Sequence, residues 1–133
     1  ANLSHMLAKA NRLRTADDFR VTMRTGHKLS TGNLVIYLKR DLGQPQARFG
    51  FVVAKTVGNA VTRNLVKRRL RALCREALPA IPKGTALVIR ALPTAAQADW
   101  NKLSTEFNSA MNRAFGENRA ASLGQDSTEV RGA

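Results

Sequence analysis

The chain has 133 residues, with 22 Lys and Arg against nine Asp and Glu, a formal net charge of +13. An excess of this size favours a polyanionic partner, nucleic acid or an anionic membrane surface, yet no apolar run approaches the roughly 20 residues that span a bilayer. Cys74 is the only cysteine, which excludes an intramolecular disulfide and suits a reducing, cytoplasmic setting.

In chain order, Ala1 to His5 read as a cloning scar ahead of an initiating Met6, with no secretory apolar stretch. That leaves His27 as the only native histidine, so a Cys/His zinc site is out of reach. Thr15-Ala16-Asp17-Asp18 has the pattern of a capping box with acids in the first turn. It predicts a short helix with Ala16, Phe19 and Met23 on one side and Gly26 as its stop. Leu34 to Arg40 and Arg48 to Lys55 are β-rich, and the Asp41–Gln46 stretch between them reads as a hairpin connection. Alternation sets Phe49, Phe51 and Val53 on one face and Arg48, Gly50, Val52 and Ala54 on the other.

Residues 58–71 form a glycine-led turn running into a helix. Val66, Leu70, Leu73 and Ala77 fall within a sector of roughly 60° on the helical wheel, with Cys74 at its edge as a small hydrophobe. Arg63, Lys67 and Arg71 stack at i,i+4 spacing, and with Asn64, Arg68 and Arg75 they sweep an adjoining arc of about 140°. From Arg48 to Arg75 there are eight basic residues and no acid. A single-signed, locally unpaired face of this kind points to RNA or DNA phosphates rather than simple solvation. Lys55 precedes the turn, and the helix N-terminus beyond Gly58 offers free N–H groups to a phosphate.

Pro79 and Pro82-Lys83-Gly84 end the basic helix, and Thr85 to Ala91 is a further strand. Asp99 caps a last helix in which Trp100, Leu103, Phe107, Met111 and Ala114 recur at core spacing. Residues 117–133 are polar and read as a disordered tail. That tail holds two bases and three acids, so residues 1–116 carry +14. The pattern describes a single α+β domain over residues 6–116, with helices packed on a mostly antiparallel sheet in the order α-β-β-α-β-α. Within it there is no serine–histidine–acid set, metal-ligand cluster or Walker-type loop, so the chain reads as a binder rather than a catalyst. Tyr37, alone of its type, reads equally as half-buried core or as a platform on which a base stacks. Phe19 and Met23 share that ambiguity and lean to core.

The run from Lys55 through Gly58, Ala60-Val61, Arg63-Asn64, Lys67-Arg68 and Arg71 resembles the signature of the bacterial ribonuclease P protein component. Asn11-Arg12-Leu13, Asp18-Phe19, the Arg48–Val53 strand and Arg90 support the resemblance, which covers about residues 9 to 115. It implies a two-layer α-β-β-β-α-β-α sandwich like ribosomal protein S5 domain 2, with one more short strand than the pattern reveals and a left-handed βαβ crossover. It further implies a cytoplasmic protein subunit that assembles with a catalytic RNA and needs no membrane and no obligate protein partner. The holoenzyme cleaves precursor tRNA to give the mature 5′ end, with the Mg2+ held mainly by the RNA. By position, Arg12, Lys55, Asn59, Arg63, Asn64, Lys67, Arg68 and Arg71 resemble the surface that docks on the catalytic RNA. Phe19, Met23, Val35, Tyr37, Lys39, Arg48, Val52 and Arg90 resemble the cleft for the single-stranded 5′ leader. Met23 stands where many members place a second aromatic, Thr56 where a second basic residue is common, and Ala54 where serine is frequent. A structural RNA-binding module and an autonomous nuclease are the competing readings. The first would bind without depending on a leader, and the second would cleave with no RNA subunit present.

Overall fold

The structure, a computed structural model, describes residues 8–41 and 43–123. Its elements run α1 (Ala16–Thr25), β1 (His27–Ser30), β2 (Leu34–Arg40), β3 (Arg48–Val52), α2 (Ala60–Ala77), β4 (Thr85–Ala91) and α3 (Trp100–Leu123). This is the α-β-β-β-α-β-α order that the resemblance implies. The additional strand is β1, with a single buried residue, Leu29. The stretch expected to be scar, Ala1 to His5, lies outside the described residues. So do residues 124–133 of the expected tail, whereas α3 continues through 117–123. Extending an established helix costs far less than nucleating one, and no proline interrupts this stretch.

The sheet order is β1-β2-β4-β3, antiparallel except for the parallel pair β3 and β4, which α2 connects. The Asp41–Gln46 stretch is therefore not a hairpin: β4 is inserted between the two strands it joins, and the hairpin is β1–β2. The turn before β4 fixes that connection. Asp41 N donates to Gly84 O at 2.6 Å and Gly84 N to Gln46 O at 3.3 Å. Gly84 has φ +79°, and a Cβ there would stand 2.5 Å from Asp41 O, so only glycine fits. β3 stops at Val52, and a 3₁₀ turn, Lys55–Val57, takes up the rest of the expected strand.

Alternation along the strands gives the sheet two apolar faces. Leu34, Ile36, Phe49, Leu87 and Ile89 meet Val66, Leu70 and Leu73 of α2 and Leu103, Phe107 and Met111 of α3. Each such side chain contributes about 1.5–3 kcal/mol when fully buried. Val35, Tyr37, Ala86 and Val88 face the other way and form a smaller cluster with Leu13, against which Phe19 and Met23 pack. α1 therefore crosses part of the face opposite α2 and α3. The outer edge of β3 is covered by the N-terminal segment, where Leu13 N donates to Phe49 O at 2.8 Å and Asn11 Nδ2 to Ala47 O at 2.8 Å. An edge so covered is closed to further strand pairing.

The turn between β1 and β2 is tied to α3 by Glu106, a buried carboxylate unmarked in the sequence pattern. It accepts hydrogen bonds from Thr31 Oγ1 at 2.6 Å, Asn33 N at 2.8 Å and Asn33 Nδ2 at 2.5 Å. Burial alone would raise its pKa. The bonds from Thr31 and Asn33, with the charge of Lys102, outweigh that and hold it below the ordinary value of 4.5.

Candidate nucleic-acid interface

Two cationic surfaces emerge on different elements. The first is α2. Its entry is fixed by Asn59, whose side chain caps the helix by accepting from Thr62 N at 2.9 Å. Gly58 sits tight against that turn, since a Cβ would meet Thr62 Cγ2 at 2.9 Å. Arg63 closes the turn from the helix side, its Nε donating to Gly58 O at 3.0 Å. Asn59 and Arg63 thus shape the surface as well as belonging to it.

Further along, Asn64 and Arg68 are exposed and Lys67 and Arg71 half-exposed. None of the four side chains forms an ion pair or hydrogen bond with another described residue. The charges of Lys67, Arg68 and Arg71 are therefore unneutralised among the described residues. Lys55, also exposed, leads into this face from the 3₁₀ turn. Arg69, between them in sequence, points to the other flank and donates to Ala98 O at 2.9 Å, tying α2 to the segment before α3. Arg12 is exposed on the strip that bridges to Phe49 along the outer edge of β3.

The second surface lies between α1 and the sheet. Thr15 caps α1 as expected, with Oγ1 accepting from Asp18 N at 3.0 Å. Cross-strand register sets Lys28, Tyr37, Val88 and Gly50 in one row and Ser30, Val35, Arg90 and Val52 in the next. Phe19 lies over Gly50 so closely that a Cβ there would stand 2.5 Å from its ring. Phe19, Met23 and Tyr37 floor a shallow open depression of about 620 Å³, and Arg20 and Arg24 stand at its rim. Tyr37 and Val35 are mostly buried, so they present little more than a surface, while Arg90 is exposed. An apolar, aromatic floor with a cationic border suits stacked bases and their phosphates.

Lys39 and Arg48 do not join this group. They share the sheet face but lie beyond α1, lining a separate recess with Asp17, Asp18, Thr22 and Asp41. Arg48 Nη1 is 3.9 Å from Asp18 Oδ2. Alternation identifies the face correctly, but it carries no information on where a helix crosses that face. Arg20 and Arg24, which border the cleft, escape sequence reasoning, and so does Lys28, which lies in the same cross-strand row as Tyr37. The arginines were legible in principle from their i,i+4 spacing beside Phe19 and Met23. Lys28 was not, because β1 lacks an apolar pattern.

Four acids of the folded body have structural partners. Asp17 pairs with Arg20, Asp41 Oδ1 accepts from Gly43 N, Asp99 caps α3 and Glu106 holds the β1–β2 turn. Among the described residues, no three His, Cys, Asp or Glu side chains gather closely enough to hold a metal ion. Nor is any described helix long and apolar enough to cross a membrane.

Fold and surfaces together define a small basic α+β protein with two cationic surfaces on different elements. The family model for Ribonuclease P matches residues 7–115. Ribonuclease P protein component sequences from Arthrobacter sp. (strain FB24) and Pseudarthrobacter chlorophenolicus are similar to it. The first is 47% identical over 106 residues, 80% of this chain and 78% of the relative. The second is 43% identical over 132 residues, 96% of this chain and 97% of the relative. The solved RNase P protein of Thermotoga maritima shares 26% identity with a TM-score of 0.69, covering 77% of this chain and 96% of that one. The Staphylococcus aureus RNase P protein, at 24% identity and a TM-score of 0.74, shares the fold over 80% of this chain and 96% of its own. The chain belongs to the ribonuclease P protein family.

Proposed function

We propose that this chain is the protein subunit of ribonuclease P, that α2 docks on the catalytic RNA, and that the cleft between α1 and the sheet holds the 5′ leader of precursor tRNA. The observation that carries this reading is the separation of the two surfaces onto different elements. One helix presents the side chains of Asn64, Lys67, Arg68 and Arg71 without partners among the described residues. A different face presents Phe19, Met23 and Tyr37 bordered by Arg20 and Arg24. A protein that must hold an RNA subunit and a substrate strand at once needs two such faces. Val35, Val52 and Arg90 extend the leader surface, with Arg90 as a phosphate contact. Lys39 and Arg48 act more remotely, Arg48 by seating α1 through Asp18.

In this reading the hydrolysis that removes the leader is Mg2+-dependent and belongs to the RNA subunit, with the ion held mainly by that RNA. The protein works where that RNA works, in the cytoplasm, by supplying positive charge and a stacking surface that raise the affinity for precursor tRNA. The direct test is cleavage of precursor tRNA by the cognate catalytic RNA at low magnesium, with and without the protein. Stimulation is expected, together with tighter binding of precursor than of mature tRNA. An unchanged cleavage rate with correctly folded RNA overturns the proposal.

A further inference from the structure

We propose that the exposed crest of α2 carries an aliphatic contact, Val61 with Leu65 beside it, that packs against a base or ribose surface of the RNA on which the helix docks. The inference rests on the assignment of α2 to the catalytic RNA and adds an apolar component to that contact. Val61 is 78% exposed, while Val21, at 39%, is the other exposed large hydrophobic among the described residues. Neither core cluster includes Val61. At about 100° per residue, the buried Val66, Leu70 and Leu73 set the inward direction of α2, and Val61 points nearly opposite. Arg68 lies roughly 20° from Val61 on the wheel and Leu65 roughly 40° on its other side.

A valine at this place does nothing for the fold. A β-branched residue lowers helix propensity relative to alanine, and this one buries no surface against the domain. Its position is nonetheless well fixed, within the first turn of a helix capped by Asn59. The partner must therefore offer apolar surface next to phosphates, since Asn64 and Arg68 flank the valine with no side-chain partners among the described residues. RNA offers both, as base or ribose faces alongside its backbone. A second copy of this chain would bring the same unneutralised arc against itself, and like charges so placed repel.

The test is affinity for the catalytic RNA over a salt series, using the full-length protein and the variants Val61→Ala, Val61→Thr and Arg68→Ala. Apolar contact releases no counterions. Both Val61 variants should therefore weaken binding, Val61→Ala by roughly fivefold to tenfold, with the salt slope unchanged and the thermal midpoint of Val61→Ala not lowered. Arg68→Ala should instead flatten the slope. Wild-type affinity in both Val61 variants, or a flattened slope in either, overturns the contact while leaving the docking assignment intact. Absence of wild-type binding overturns the assignment and the contact together. Self-association of the free protein that Val61→Ala abolishes would make the strip an interface between copies and overturn the proposal.

Discussion

Glu106 accepts three hydrogen bonds from a turn some seventy residues away in sequence, so this one carboxylate controls how β1 and β2 sit on α3. A charged hydrogen-bond acceptor contributes about 1.5–3 kcal/mol, and its loss leaves buried donors unsatisfied. Glu106→Gln can still accept but cannot satisfy all three donors, and should cost about 1–3 kcal/mol at neutral pH. The sign of the pH dependence follows from the lowered pKa. The stabilisation is fully present above the ordinary value of 4.5 and is lost as pH falls through the lower folded value. Urea unfolding of wild type and variant should therefore diverge at pH 7 and converge on acidification. A difference independent of pH would mean that the carboxylate charge is not what matters. Nothing in the sequence marks this residue, since an acid within a helix ordinarily faces water and its partners here are contributed by tertiary packing.

At the scale of elements, α2 divides its arginines between two duties, and neighbours in sequence differ. Arg69 donates to Ala98 O, whereas Arg68 is exposed with no side-chain partner among the described residues. Arg69→Ala should lower stability by about 1–3 kcal/mol and leave the salt dependence of RNA binding unchanged. Arg68→Ala should keep stability within about 0.5 kcal/mol. It should also flatten a slope of log affinity against log salt that lies near −4 to −5 for about six neutralised phosphates, by roughly one unit. Chemical denaturation and filter binding over a salt series separate the two outcomes, and identical behaviour of both variants would refute the division.

Much of this level was legible in the sequence because it is local. Thr15 and Asp99 mark their helix starts, β2 and β4 are continuous apolar runs, and the inward residues of α2 and α3 recur at helical spacing. β1 was not legible, because His27-Lys28-Leu29-Ser30 carries one apolar side chain and gains its strand character from pairing with β2. The mistaken hairpin has the same origin. Turn chemistry at 41–46 reports a turn, while the insertion of β4 is set by pairing far along the chain. The cleft was half legible for a related reason, since strand alternation placed Tyr37, Val35 and Arg90 but could not reveal that α1 partitions Lys39 and Arg48 from them.

For the molecule as a whole, the account makes the protein an adaptor with α2 turned to the RNA subunit and the α1–sheet cleft turned to substrate. The measurement that reaches this claim most directly is site-specific photocrosslinking in the assembled holoenzyme with precursor tRNA bound. One probe replaces Met23, half-buried in the floor of the cleft, and another replaces exposed Arg68 on α2. The account predicts crosslinks from position 23 to the 5′ leader and from position 68 to the catalytic RNA. Crosslinks from both positions to the same RNA, or the two targets exchanged, would contradict it.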